Sequence, residues 1–281
     1  MLMAKLHGLG NDFLVVNKED ARGSSLKSLA RRVCQRYIGI GADGVVFFQP
    51  TPDDAAADVS ALIFNADGSR AEMSGNGTRC LAAYLVHSEE ISTKIIRIRT
   101  VSGIKAFALT GRKDRTYTFE SSLGCPEMDS AKIPVRLGTR PAQLIDFPLT
   151  VGGEVLRVTI SSMGNPHCCT FWLDVTKAPV ETLGPVLEGL SCFPNRTNVE
   201  FVQVMDRHRI RARFWERGVG PTLASGTGSA AAAVAAILNR RVESPVMVEV
   251  DLGRLLVRWK PPGELLLTGP AEFICKCDLP D

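Results

Sequence analysis

A Ser-Gly-x-Gly segment that opens an apolar helix occurs twice in the chain, as Ser74-Gly75-Asn76-Gly77 and as Ser225-Gly226-Thr227-Gly228. The first runs on through Thr78-Arg79-Cys80-Leu81-Ala82-Ala83, the second through Ser229 into the small apolar stretch Ala230 to Leu238. A duplicated helix start within 281 residues points to two similar halves, each with its own core. Glycines at the mouth of a helix let a ligand approach the backbone. The unpaired first-turn N–H groups, together with the helix dipole, favour an anion there. Two such mouths facing one another would hold a small acid between Ser74 and Ser225. Each serine is equally suited to a plain helix N-cap.

Hydrophobic residues make up 45% of the chain, enough for two cores. With 33 basic and 30 acidic residues the net charge is +3, which implies neither a nucleic-acid nor a membrane partner. The densest basic run, Arg207-His208-Arg209-Ile210-Arg211-Ala212-Arg213, alternates as one solvated strand face. Met1 to Val16 carries Lys5, Gly8, Gly10 and Asp12 and does not read as a signal peptide. Ala230 to Leu238 falls far short of the ~20 residues of a spanning helix, so a soluble cytoplasmic protein is expected. The eight cysteines lack disulfide-scaffold spacing, and most read as buried thiols. Neither Cys168-Cys169 nor Cys275-Lys276-Cys277 has the pairing of a zinc site, so no metal is expected.

Along the chain, residues 3–16 read as a strand, a Gly-Leu-Gly-Asn-Asp turn at 8–12 and a second strand from Phe13 to Val16, and helical spacing covers Leu26 to Tyr37. Gly39-Ile40-Gly41-Ala42-Asp43-Gly44 matches G-x-G-x-x-G, but it follows a helix and opens the strand Val45-Val46-Phe47-Phe48. A dinucleotide fingerprint needs the reverse order, so that reading is rejected. Further strands are predicted at 61–64, 95–100, 104–109 and 117–121, with the first Ser-Gly-x-Gly helix at 75–87. The second half repeats the pattern. It has strands at 142–148 and 155–161, a turn over Ser162 to His167, helical spacing at 181–188, strands at 199–205 and 208–215, and a helix at 226–240. Strands at 245–250, 253–258, 264–268 and 271–276 complete it. The expected domains are 1–122 with a returning strand in 269–281, and 123–268.

With these pieces placed, the chain resembles the diaminopimelate epimerase family over essentially its whole length. The resemblance rests on Lys5-Leu-His-Gly-Leu-Gly-Asn-Asp-Phe13, Gly39-Ile-Gly-Ala-Asp-Gly44, Phe64-Asn-Ala-Asp-Gly68, Gly75-Asn-Gly-Thr-Arg-Cys80, Gly164-Asn-Pro-His167, Thr197-Asn-Val199, and Glu216-Arg-Gly218 with Gly226-Thr-Gly228. It implies an α/β fold of two similar pseudo-symmetric domains, each a barrel-like mixed sheet around a central helix, with the substrate in the cleft between them. It also implies LL-/meso-diaminopimelate interconversion without a cofactor, by removal of the α-proton on one face and delivery on the other. By the same resemblance, Asn11, Asn65, Asn165, Asn198, Glu216 and Arg217 contact the distal end of the substrate. Gly75, Asn76, Gly226 and Thr227 present N–H groups to the reacting carboxylate, and His167 and Glu216 stand beside the two acid/base positions. The partner is then a small amino acid, and a homodimer is compatible with the family.

The family's acid/base groups are two cysteines, and this sequence has Ser74 and Ser225 in their places. A thiol of pKa about 8.5 is readily tuned at a helix N-terminus, whereas an alcohol is a much weaker acid. Three readings stay open at this point: an epimerase scaffold with weakened turnover, a divergent relative (another amino-acid racemase or a hydroxy-amino-acid dehydratase), and a non-catalytic amino-acid-binding protein. Pro221, and Tyr37-Ile38 ahead of Gly39, also depart from the family pattern.

Overall fold

A computed structural model describes residues 1–71, 73–138 and 141–279; positions 280–281 of the expected first domain lie outside the described residues. The chain divides into two units, Met1–Ser121 with Thr268–Asp281, and Ser122–Leu267.

The first unit is built from β1 (Leu2–Gly8), β2 (Asn11–Asn17), α1 (Leu26–Val33), β3 (Gly44–Pro50), β4 (Val59–Asn65), the short β5 (Arg70–Ala71), α2 (Gly75–His87), β6 (Ile95–Thr100), β7 (Gly103–Lys113) and β8 (Thr116–Ser122). Strand neighbours run β1, β2, β3, β4, β6, β7, β8, and the C-terminal strand pairs with both β8 and β1 to close an eight-stranded barrel. The pairs β2/β3 and β4/β6 are parallel and the sheet is therefore mixed. Alternation explains the two apolar layers. Phe13, Val15, Val46 and Phe48 point inward onto Leu81, Ala82 and Leu85 of α2. Leu14, Val16, Val45 and Phe47 point outward onto Leu29, Ala30 and Val33 of α1.

The second unit repeats this order with β9 (Leu144–Val151), β10 (Glu154–Ser162), β11 (Pro166–Phe171), α3 (Val180–Glu188), β12 (Asn198–Asp206), β13 (Arg209–Glu216), β14 (Gly220–Thr222), α4 (Gly226–Leu238), β15 (Val246–Val250) and β16 (Gly253–Arg258). Its parallel pairs, β11/β12 and β13/β15, stand where β2/β3 and β4/β6 stand in the first unit. Inside lies α4, whose Ala230 to Ala236 are all fully buried, so the sheet packs close to the helix backbone.

Several sequence expectations shift. Helix α1 stops at Val33, because the chain folds back until Gly41 N–H reaches Val33 O, and Tyr37 is left fully exposed. The strands expected at 264–268 and 271–276 are one strand, β17 (Leu266–Asp278). Pro270 keeps an extended backbone where the two were expected to part, and gives its carbonyl to Arg79. The turn expected over 162–167 ends two residues early: Pro166 and His167 belong to β11, and His167 is completely buried. Four cysteines are buried, two half-buried and two exposed, fewer buried than expected. The arginine face is solvated at Arg207 and partly solvated at Arg209 and Arg211, with Arg209 tied to Asp206 and Glu249.

Candidate active site

In each unit the sheet order gathers the candidate residues at one end. Parallel β2 and β3 start there, β4 ends there, and α2 begins there; β11, β12, β13 and α4 repeat the arrangement.

In the first unit Ser74 is the N-cap of α2, with extended φ −139° and ψ 115°, and its Oγ accepts from Gly77 N at 3.0 Å. Asn76 is buried in the first turn; its Nδ2 donates to Asn11 Oδ1 at 3.0 Å, and Arg79 donates to its Oδ1. Asn11 in turn donates to Asp43 Oδ2 at 2.7 Å, and Asp43 is held by Arg36 Nη2 at 2.6 Å. Asp12 lies beside them, 3.1 Å from Lys5 Nζ and 3.0 Å from Arg36 Nη2. Burial pushes its carboxyl up, but the hydrogen bonds of Arg36 and Lys5 outweigh that and hold it below the usual range. Asn65 is exposed at the end of β4 and donates to Ser69 Oγ at 2.9 Å, which keeps its turn in shape.

In the second unit Ser225 caps α4 with φ −132° and ψ 125°, and its Oγ accepts from Gly228 N at 3.3 Å. Both serines therefore do serve as N-caps. Each cap leaves the two preceding N–H groups, Gly75 with Asn76 and Gly226 with Thr227, outside the intrahelical ladder and free for an anion. Asn198 is buried; its Nδ2 donates to Pro166 O at 2.9 Å and its Oδ1 accepts from Arg217 N at 3.0 Å. Glu216 Oε1 accepts from Thr222 Oγ1 at 2.7 Å, across the hairpin that leads to α4. Arg217 is exposed and donates to Asn195 O at 3.1 Å. His167 and Asn165 are joined at 3.0 Å between Nε2 and Oδ1.

Within the first unit, then, Asn11 and Asn76 touch directly, while the Asn65 side chain bonds to Ser69 in its own turn. Sequence reading passed over the residues that hold these groups. Asp43 sits inside the glycine-rich 39–44 segment, and its place just before a strand was the signal available. Glu188, at the end of α3, accepts from Trp215 Nε1 at 2.6 Å and Gly218 N at 2.8 Å and so fixes the loop that carries Glu216 and Arg217. Nothing in the local sequence marked it. Cys80 is buried in the barrel, and burial pushes its thiol up to about 12, which keeps it protonated and apart from acid/base work.

The two glycines of each motif have different reasons. A Cβ on Gly77 would come within 3.1 Å of the Phe13 ring, and one on Gly228 within 2.9 Å of Phe214, so the second glycine admits close packing of helix on strand. A Cβ on Gly75 would meet nothing within 4 Å. Gly77→Ala is accordingly expected to cost about 1–3 kcal/mol in urea unfolding. Gly75→Ala should change stability by no more than about 1 kcal/mol while reducing turnover about a hundredfold by crowding the ligand. Equal loss of stability in both variants would contradict this division.

The model of the family described as diaminopimelate epimerase matches residues 3–124 and 159–274. A diaminopimelate epimerase of Pelotomaculum thermopropionicum is 40% identical over 282 aligned residues, covering 100% of this chain and 99% of that protein. One from Moorella thermoacetica is 43% identical with the same coverage. Among solved structures, a phenazine biosynthesis protein of the PhzF family from Bacillus anthracis matches with a TM-score of 0.71 at 16% identity, over 100% of this chain and 99% of that one. A hydroxyproline epimerase from Agrobacterium vitis gives 0.66 at 15% identity, over 99% and 91%. At such identity the structural likeness speaks for the fold alone.

Proposed function

The chain belongs to the diaminopimelate epimerase family, and from that premise we propose that it interconverts LL- and meso-diaminopimelate, a step toward lysine and peptidoglycan precursors. It is an isomerase of the cofactor-independent amino-acid epimerase type. Ser74 and Ser225 occupy the acid/base positions, with His167 and Glu216 beside them. The α-carboxylate is received by the N–H groups of Gly75, Asn76, Gly226 and Thr227, where charge develops as the α-proton leaves. Asn11, Asn65, Asn165, Asn198, Glu216 and Arg217 hold the distal end. Turnover is weak, because an alcohol is a poor source of base at neutral pH.

The observation that carries this reading is the matched pair of helix mouths. Each has a capping serine in the same extended conformation, hydrogen-bonded to the second glycine of its motif. The test is incorporation of deuterium at the α-carbon when LL- or meso-diaminopimelate is incubated with the chain in D₂O and followed by NMR. Slow wash-in with appearance of the other isomer is expected. No wash-in with either isomer, even at high enzyme concentration, would remove the assignment. The serines themselves favour one second reading, a divergent enzyme acting on another amino acid, which would exchange that substrate and not diaminopimelate. No described helix is long and apolar enough to cross a membrane, and we propose a cytoplasmic homodimer; a monomeric sedimentation mass would contradict the assembly.

A further inference from the structure

Behind Asn165, His167 belongs to a chain of buried polar groups that continues through Glu200 to Cys169. His167 Nδ1 stands 2.7 Å from Glu200 Oε1, and His167 Nε2 stands 3.0 Å from Asn165 Oδ1. The other carboxylate oxygen, Oε2, accepts from the Cys169 thiol at 3.3 Å. Strand register brings them together: in parallel β11/β12, Cys169 lies opposite Glu200 and His167 opposite Asn198. His167 and Cys169, two apart, share a face of β11. It is the face away from Cys168, Val199 and Phe201, which pack with α3. His167 and Glu200 are essentially without solvent, so their polar atoms find partners only inside the protein. Burial, and then the Glu200 charge, push the Cys169 thiol well up, which keeps its S–H as a donor.

Both Glu200 oxygens have a polar hydrogen-bonding partner, and with Asn165 Oδ1 turned toward Nε2 both His167 nitrogens face acceptors. With Oδ1 of Asn165 engaged by His167, its Nδ2 has no protein acceptor among the described residues. The first unit has a parallel arrangement with a permanent cation. There Arg79 donates to Oδ1 of Asn76 and leaves Nδ2 to serve Asn11.

We propose that Glu200 is a positioning residue for ligand binding: by holding His167 as a donor to Asn165 Oδ1, it fixes the Asn165 amide with its NH₂ outward. That choice selects a ligand oxygen, such as a substrate carboxylate, over an ammonium at this point. The inference rests on the functional reading above, in which Asn165 contacts the substrate.

Two measurements test it. The first needs no variant: long-range ¹H–¹⁵N correlation of the His167 imidazole in the full chain at neutral pH. Protons on both nitrogens are expected, and one bare nitrogen overturns the proposal. The second compares binding of meso-diaminopimelate by calorimetry in the original chain, Glu200→Gln and Glu200→Asp. A loss of affinity of about ten- to a hundredfold is expected for Glu200→Gln, with partial recovery in Glu200→Asp and much less change in exchange rate at saturation. Unchanged affinity in Glu200→Gln overturns it. A chain that binds neither diaminopimelate isomer sinks the functional reading instead, and the imidazole spectrum still decides the role of Glu200.

Discussion

Replacing Ser74 and Ser225 together by cysteine is expected to raise the rate of α-deuterium incorporation into diaminopimelate by about 10²–10⁴-fold, the range that a well-matched acid or base contributes. The physical reason is acidity. A thiol of pKa about 8.5 is brought toward neutrality by the N-terminal end of a helix, and both serines sit at such ends. An alcohol in the same place stays protonated and can neither take the α-proton nor return it quickly. Either single replacement should gain little epimerisation, since inversion needs removal at one face and delivery at the other. The gain has a cost in stability. Ser74 Oγ and Ser225 Oγ each satisfy a first-turn N–H, and a sulfur does so poorly, so the double variant should lose roughly 1 kcal/mol per cap in urea unfolding. Lower stability without a gain in exchange would mean that the serines act only as caps.

Arg79→Met is expected to lower kcat/KM for diaminopimelate by about 10²–10³-fold, the effect of removing one preorganised electrostatic group. Its guanidinium is buried, donates to Pro270 O at 3.1 Å and to Asn76 Oδ1, and has no carboxylate partner among the described residues. Burial pulls its pKa down, yet an arginine stays charged in proteins. A positive charge is therefore stored in the first turns of α2, where it orients Asn76 and adds to the helix dipole at the mouth proposed to receive the carboxylate. Gly8 keeps room for it, since a Cβ there would lie 3.1 Å from Arg79 Nη2. Stability should move less than activity. Removing an unpaired buried charge relieves a desolvation cost of several kcal/mol, while the two abandoned carbonyl oxygens cost about 1–3 kcal/mol each. Collapse of the fold with normal activity in the surviving fraction would assign Arg79 a structural role.

The sequence alone determined the features that depend on neighbours along the chain. Glycine spacing and the small residues behind it located α2 and α4 at their starts, Gly75 and Gly226. Two-residue alternation located most strands, and duplication of the Ser-Gly-x-Gly segment announced the doubled sheet order later found in β1–β7 and β10–β16. These patterns are legible because helix and strand contacts repeat at fixed short separations. His167 was placed in a turn because Gly164-Asn165-Pro166 reads as one, and nothing local shows that the following residue enters a parallel strand.

Tertiary structure alone decided what stands behind each candidate group. Asp43 grips Asn11 across 32 positions, Glu200 grips His167 across 33, and Arg79 reaches Pro270 across 191. Each contact depends on which strands lie side by side and in what register. A one-residue slip would turn Glu200 to the opposite face of β12, with no change in any local pattern. Partners fixed by register and paid for by burial are set by the whole sheet, and a linear reading meets them only as separate polar residues.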